Sequence, residues 1–137
     1  MTNYCNAPLN AQARLGIERF NRGEYWLAHA GLEDAWRDED TPVGTLYKGI
    51  LQVAVVFYHD SQQNYPGAIK MYGRSQKWLK NWPAICCGID VAHLRADLDI
   101  AIAKIKELGE EILLISIIIQ RLFMKKKCLS KCFLFPD

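Results

Sequence analysis

The chain lacks most of the signatures that name a reaction. No Gly-rich loop leads into a Lys-Ser or Lys-Thr pair, so the phosphate cradle of nucleotide hydrolases is absent, and no G-x-S-x-G elbow presents a nucleophilic serine. No apolar run reaches the roughly 20 residues a helix needs to span a bilayer. The longest, Ile112 to Met124, contains Gln120 and Arg121, and no transmembrane segment is expected. Neither charge dominates: 17 Lys plus Arg stand against 15 Asp plus Glu, no footprint for a nucleic-acid partner. The opening MTNYCNAPLN has neither the basic start nor the apolar core of a secretory signal. Five cysteines, at 5, 86, 87, 128 and 132, are odd in number and lack the two-residue gap of a zinc knuckle. Reduced thiols in a cytoplasmic protein are therefore the expectation.

What remains is an ordinary globular composition. With 137 residues, 50% hydrophobic and 23% charged, the chain suits one compact domain with a real core. The charge is unevenly spread, because residues 112–137 hold five Lys plus Arg against one Asp, while residues 1–111 are mildly acidic. That shift, with the loss of helical period, divides the chain into a domain over 6–111 and an apolar then basic tail over 112–137.

Helix punctuation orders the domain. A first helix opens near Pro8, and a second covers 24–37 after the break Asn21-Arg22-Gly23. Thr41 and Pro42 start a third helix, apolar nearly all round and hence central. Val53, Val55 and Val56 favour a strand locally, but an unbroken run over 45–62 is too long for one. Asn64 caps a fourth helix, stopped by Trp82-Pro83, and Asp90 caps a fifth that Gly109 ends. These elements predict an all-α fold, a compact antiparallel bundle of about five helices. Trp78, Trp82, Tyr72 and Met71 read as packing residues, and His93 as partly exposed.

The second helix carries the most informative pattern. At 100° per residue, Trp26, His29, Glu33 and Trp36 fall within about 80° of one another, with Asp34 and Arg37 assigned to the solvent side. The tryptophan side then reads as core, and a buried Glu33 needs a partner there. Gln52 and His59 share a face of the third helix two turns apart and are the candidates. Two imidazoles and a carboxylate, His29, His59 and Glu33, are ligand types of zinc or non-haem iron. Hydrogen bonding within the same residues would equally satisfy them without any ligand.

The segments FNRGEYWLAHAGLEDAWR and LYKGILQVAVVFYHDSQQNYPGAIKMYGRSQKWL resemble the bacterial and archaeal family called domain of unknown function 309, over about residues 16–108. Its hallmark is His-x-x-x-Glu-x-x-Trp (or Tyr), met here by His29, Glu33 and Trp36, with further likeness at Gly49 to Gln52 and Asn64 to Ala68. The resemblance implies an all-α fold and a metal-binding role for the motif. Many members carry Glu directly after the motif His, where this chain has Ala30.

Two readings of different class follow. In one, His29, Glu33 and His59 hold a divalent zinc, iron or manganese ion, Gln52 orients them, Trp26, Trp36 and Asn64 frame the pocket, and an open coordination position would permit metal-assisted hydrolysis. In the other, the polar cluster is structural and the chain is a non-catalytic interaction module, forming a homo-oligomer through exposed aromatic or tail residues.

Overall fold

The computed structural model describes residues 2–123, with side chains described for 4–108. Five α-helices dominate the described residues: α1 (Ala11–Asn21), α2 (Tyr25–Asp38), α3 (Val43–Ser61), α4 (Tyr65–Leu79) and α5 (Val91–Phe123). A 3-10 helix at Thr2–Asn6 precedes them, and a small antiparallel hairpin, β1 (Ile85–Cys86) with β2 (Ile89–Asp90), joins α4 to α5. The expected all-α bundle is what forms.

Local capping chemistry sets most boundaries. The Asn64 side chain accepts from the Gly67 amide at 3.1 Å and the Asp90 carboxylate from the His93 amide at 3.0 Å, the caps expected for α4 and α5. α1 starts later than Pro8 because Asn10 Oδ1 takes the amides of Gln12 and Ala13, at 2.7 and 3.1 Å. The valine-rich segment lies within a 19-residue helix, so length overrides local strand preference there. Gly109 does not stop α5, which runs 33 residues, about 50 Å. A lone glycine costs a helix only about 1 kcal/mol, and no proline lies in the turns just after it to enforce a break. Among the described residues no helix is long and apolar enough to cross a membrane.

The expectation of reduced thiols fails for one pair. Cys5 and Cys86 form a disulfide, their Cα atoms 4.3 Å apart across a sequence separation of 81. The bond pins the N-terminal 3-10 helix to the hairpin, whose central residues Cys87 and Gly88 both have positive φ, +52° and +79°. Such a turn suits Gly88 but is uncommon for Cys87. Cys87 is held there by its amide, which donates to the Cys5 carbonyl at 2.7 Å, and its buried thiol stays free. Cys128, Cys132 and the basic end of the chain lie outside the described residues.

Consecutive helices pack as neighbours, with α3 in the middle. α1 and α2 approach closely because Gly16 and Gly31 face one another: a Cβ on Gly31 would sit 3.3 Å from the Gly16 Cα. Phe20, Tyr25 and Phe57 form an aromatic cluster, with ring centroids 5.3 to 5.5 Å apart, that joins α1, α2 and α3. α5 is fastened to α4 by the Tyr72 hydroxyl donating to Asp99 at 2.8 Å, and by the Arg95 guanidinium donating to the Leu79 and Trp82 carbonyls. Those bonds engage carbonyls at the end of α4 and in the turn that follows it. Trp82 is buried beneath them, as its expected packing role requires, and so is Leu79.

Candidate functional site

α2 buries Tyr25, Leu32 and a row of small residues, not its tryptophans. Tyr25, Ala28, Gly31, Leu32 and Ala35 are its buried positions, whereas Trp26 is 55% exposed and His29, Glu33 and Trp36 are half-buried along the rim. This corrects the expectation that the tryptophan side is core. Close approach of α1 at Gly31 admits only small side chains, so the large rings are displaced by about one residue's rotation.

The assignment of Arg37 to the opposite side is also corrected. Four residues advance a helix by 400°, which returns Arg37 to within about 40° of Glu33. Its guanidinium donates to Glu33 Oε2 at 2.7 Å, and the Glu33 side chain keeps about a third of its surface in solvent, 34%. Glu33 is thus a rim carboxylate with its own cation. Asp34 is exposed, as expected, and so is His93, which pairs with Asp97 at 3.0 Å.

The rim is organised as a run of rings. His29 stacks on Trp26 at 4.8 Å and 14°, Trp26 meets Tyr58 of α3 at 5.0 Å, and Tyr58 meets His59 at 6.0 Å. Asn64 Oδ1 accepts from the Gly67 amide, which orients the Asn64 amide nitrogen to donate to His59 Nδ1 at 3.2 Å. A neutral His59 accepting at Nδ1 carries its proton on Nε2. Asn64 therefore serves both as helix cap and as the partner that sets this tautomer. At the other end, Lys48 Nζ lies between two rings, 4.7 Å from Trp36 and 4.4 Å from Trp78 of α4.

These contacts fix how α2 and α3 face one another. Trp26 beside Tyr58 and Trp36 beside Lys48 are separated by the same ten residues on both helices, in opposite directions. Gln52 then falls level with Leu32 and Glu33, and Val55 level with His29. Trp26 and Tyr58 intervene between His29 and His59. Among the described residues no group of three or more His, Cys, Asp and Glu side chains is placed to hold a metal ion.

Two buried side-chain amides have an unsatisfied atom. Gln52 Oε1 on α3 and Gln76 Nε2 on α4 lack a hydrogen-bond partner, a condition that costs about 1–3 kcal/mol each. A third unsatisfied group, missed in the sequence, is Asp60 in the last turn of α3: Oδ1 has no partner, and burial pushes its carboxyl up to about 7. Lys48 was also missed, although its spacing of four from Gln52 puts both on one side of α3.

No curated protein and no solved structure matches this chain. The family model described as Domain of unknown function (DUF309) matches residues 13–71, the stretch from α1 into α4 that contains His29, Glu33, Trp36, Gln52 and His59. Over residues 13–71 the chain is similar to that family.

Proposed function

We propose that the rim between α2 and α3 is a ligand site for a divalent cation. His29 and Glu33 would contribute an imidazole and a carboxylate from consecutive turns of α2, and Gln52 a neutral oxygen from the level of Glu33 on α3. The supporting observation is the orphaned Gln52 Oε1, an acceptor that a cation or a ligand donor would satisfy. His59 joins such a set only by giving up Asn64, because its Nδ1 lone pair is engaged. A bound ion would supply Lewis acidity for hydrolysis at an open coordination position. The reading is tested by metal analysis of the purified chain beside His29→Ala, together with melting in zinc, manganese or ferrous iron. Retention and stabilisation lost in the variant support it, whereas metal-independent melting of the wild type removes it.

A second reading rests on Trp26 and Leu27, adjacent and 55% and 49% exposed. Large rings held open to solvent by stacking on His29 and Tyr58 suit an interaction module that self-associates. Sedimentation of the wild type beside Trp26→Ser tests it: a concentration-dependent dimer lost in the variant supports this reading, and a monomer throughout excludes it.

A further inference from the structure

A cleft of about 460 Å³ lies between α1 and the start of α5, on the side of α3 away from the motif. Its floor residues Ile50 and Phe57 stand about 200° around α3 from Gln52 and His59, so the cleft and the rim are separate places. The volume falls in the range of small-molecule sites. Ile17, Phe20 and Leu94 complete an apolar floor.

Charges at the edge of this floor are not equivalent. His93 Nε2 and Asp97 Oδ2 on α5 lie 3.0 Å apart, so each is engaged by the other, and Asp90 is engaged in capping α5. Arg14 and Glu18 on α1 both line the cleft, yet among the described residues neither side chain makes an ion pair or hydrogen bond. Arg preceding Glu by four is the less favourable order for pairing along a helix. The cleft therefore offers one unpaired cation and one unpaired anion, about 6 Å apart along the axis, beside an apolar floor.

From this geometry we infer that the cleft binds a zwitterionic α-amino acid with a large apolar side chain. Its carboxylate pairs with the Arg14 guanidinium, its ammonium with Glu18, and its side chain lies on Phe20, Phe57 and Leu94. A ligand with a single charge would leave one of the two α1 residues unused. Opposite charges on both partners favour a molecule that presents both.

The test is calorimetric titration of the full chain with L-phenylalanine, phenethylamine and 3-phenylpropanoate. Saturable binding of L-phenylalanine is expected, weaker by about tenfold or more for each singly charged analogue and in each of Arg14→Gln and Glu18→Gln. Both substituted residues are exposed, so the variants should melt as the wild type does. Leu94→Trp, which fills the floor, should also lose binding. Absence of saturable L-phenylalanine binding overturns the inference. Wild-type affinity in both α1 variants, or equal affinity for phenethylamine, overturns it as well.

Discussion

Arg37 donates to Glu33 across one turn of α2, at 2.7 Å, with both side chains reaching solvent. An exposed pair at this spacing contributes about 0.3–0.5 kcal/mol. Glu33→Ala should therefore lower stability by less than about 1 kcal/mol in urea unfolding. A loss of several kcal/mol would mean that Glu33 holds something buried. The pair also competes with any cation at the rim, so Arg37→Ala should leave stability nearly unchanged while strengthening metal binding if the cation proposal holds.

Asp60 gives the protein a pH dependence of defined sign. Its carboxyl titrates near 7 in the folded chain, above the ordinary value of 3.8, because burial disfavours the charged form. Between those values the native state binds more protons than the unfolded state, so this residue's contribution falls as pH rises from about 4 to 7. Below that window both states are protonated and nothing is lost; above it the full penalty is on the order of 4 kcal/mol. Asp60→Asn should be more stable than wild type at pH 8 and close to it at pH 4. A difference between the two that stays constant across that range would show that Asp60 does not titrate on folding.

The Cys5–Cys86 disulfide closes most of the folded domain into one loop, with a sequence separation of 81. Restricting the unfolded chain over such a loop stabilises the native state by typically about 2–4 kcal/mol. Incubation with a thiol reductant should lower the urea midpoint accordingly. Cys87→Ala should keep the oxidised protein's unfolding free energy within about 1 kcal/mol, since its thiol reaches the Tyr4 carbonyl without joining the bond. Equal midpoints with and without reductant would show that the tether adds nothing.

What was legible in the sequence was local. Asn64 and Asp90 cap within three residues of themselves, so their roles follow from spacing alone, as does the helical length of α3. The face that α2 buries was not legible, because Ala28, Gly31 and Ala35 are selected by the closeness of α1 and weigh little beside two tryptophans in any hydrophobic pattern. The residues along the rim were named from spacing, but their partners depended on helix register: Lys48 between Trp36 and Trp78 requires knowing how α2, α3 and α4 lie together. The disulfide was invisible for a similar reason, since spacing carries no information about residues 81 apart that meet through a hairpin.

Two glycines test the close packing with opposite signs. A Cβ on Gly16 would fall 2.9 Å from Leu32 Cγ, 3.1 Å from the Ala28 carbonyl oxygen and 3.2 Å from the Leu32 amide nitrogen. A side-chain tip could move, but two of those atoms are α2 backbone, so the helices must part. Overpacking of this kind costs about 1–3 kcal/mol, against a gain of about 1 kcal/mol from replacing glycine in a helix. Gly16→Ala should therefore be neutral to destabilising by about 2 kcal/mol. On α4, a Cβ on the exposed Gly73 would meet nothing within 4 Å, and its substitution gains the helix preference alone. Gly73→Ala should stabilise by about 0.5–1 kcal/mol. Thermal or urea unfolding of the two variants in parallel checks the contrast, and equal stabilisation by both would mean that α1 and α2 do not approach at Gly16 as closely as their backbones indicate.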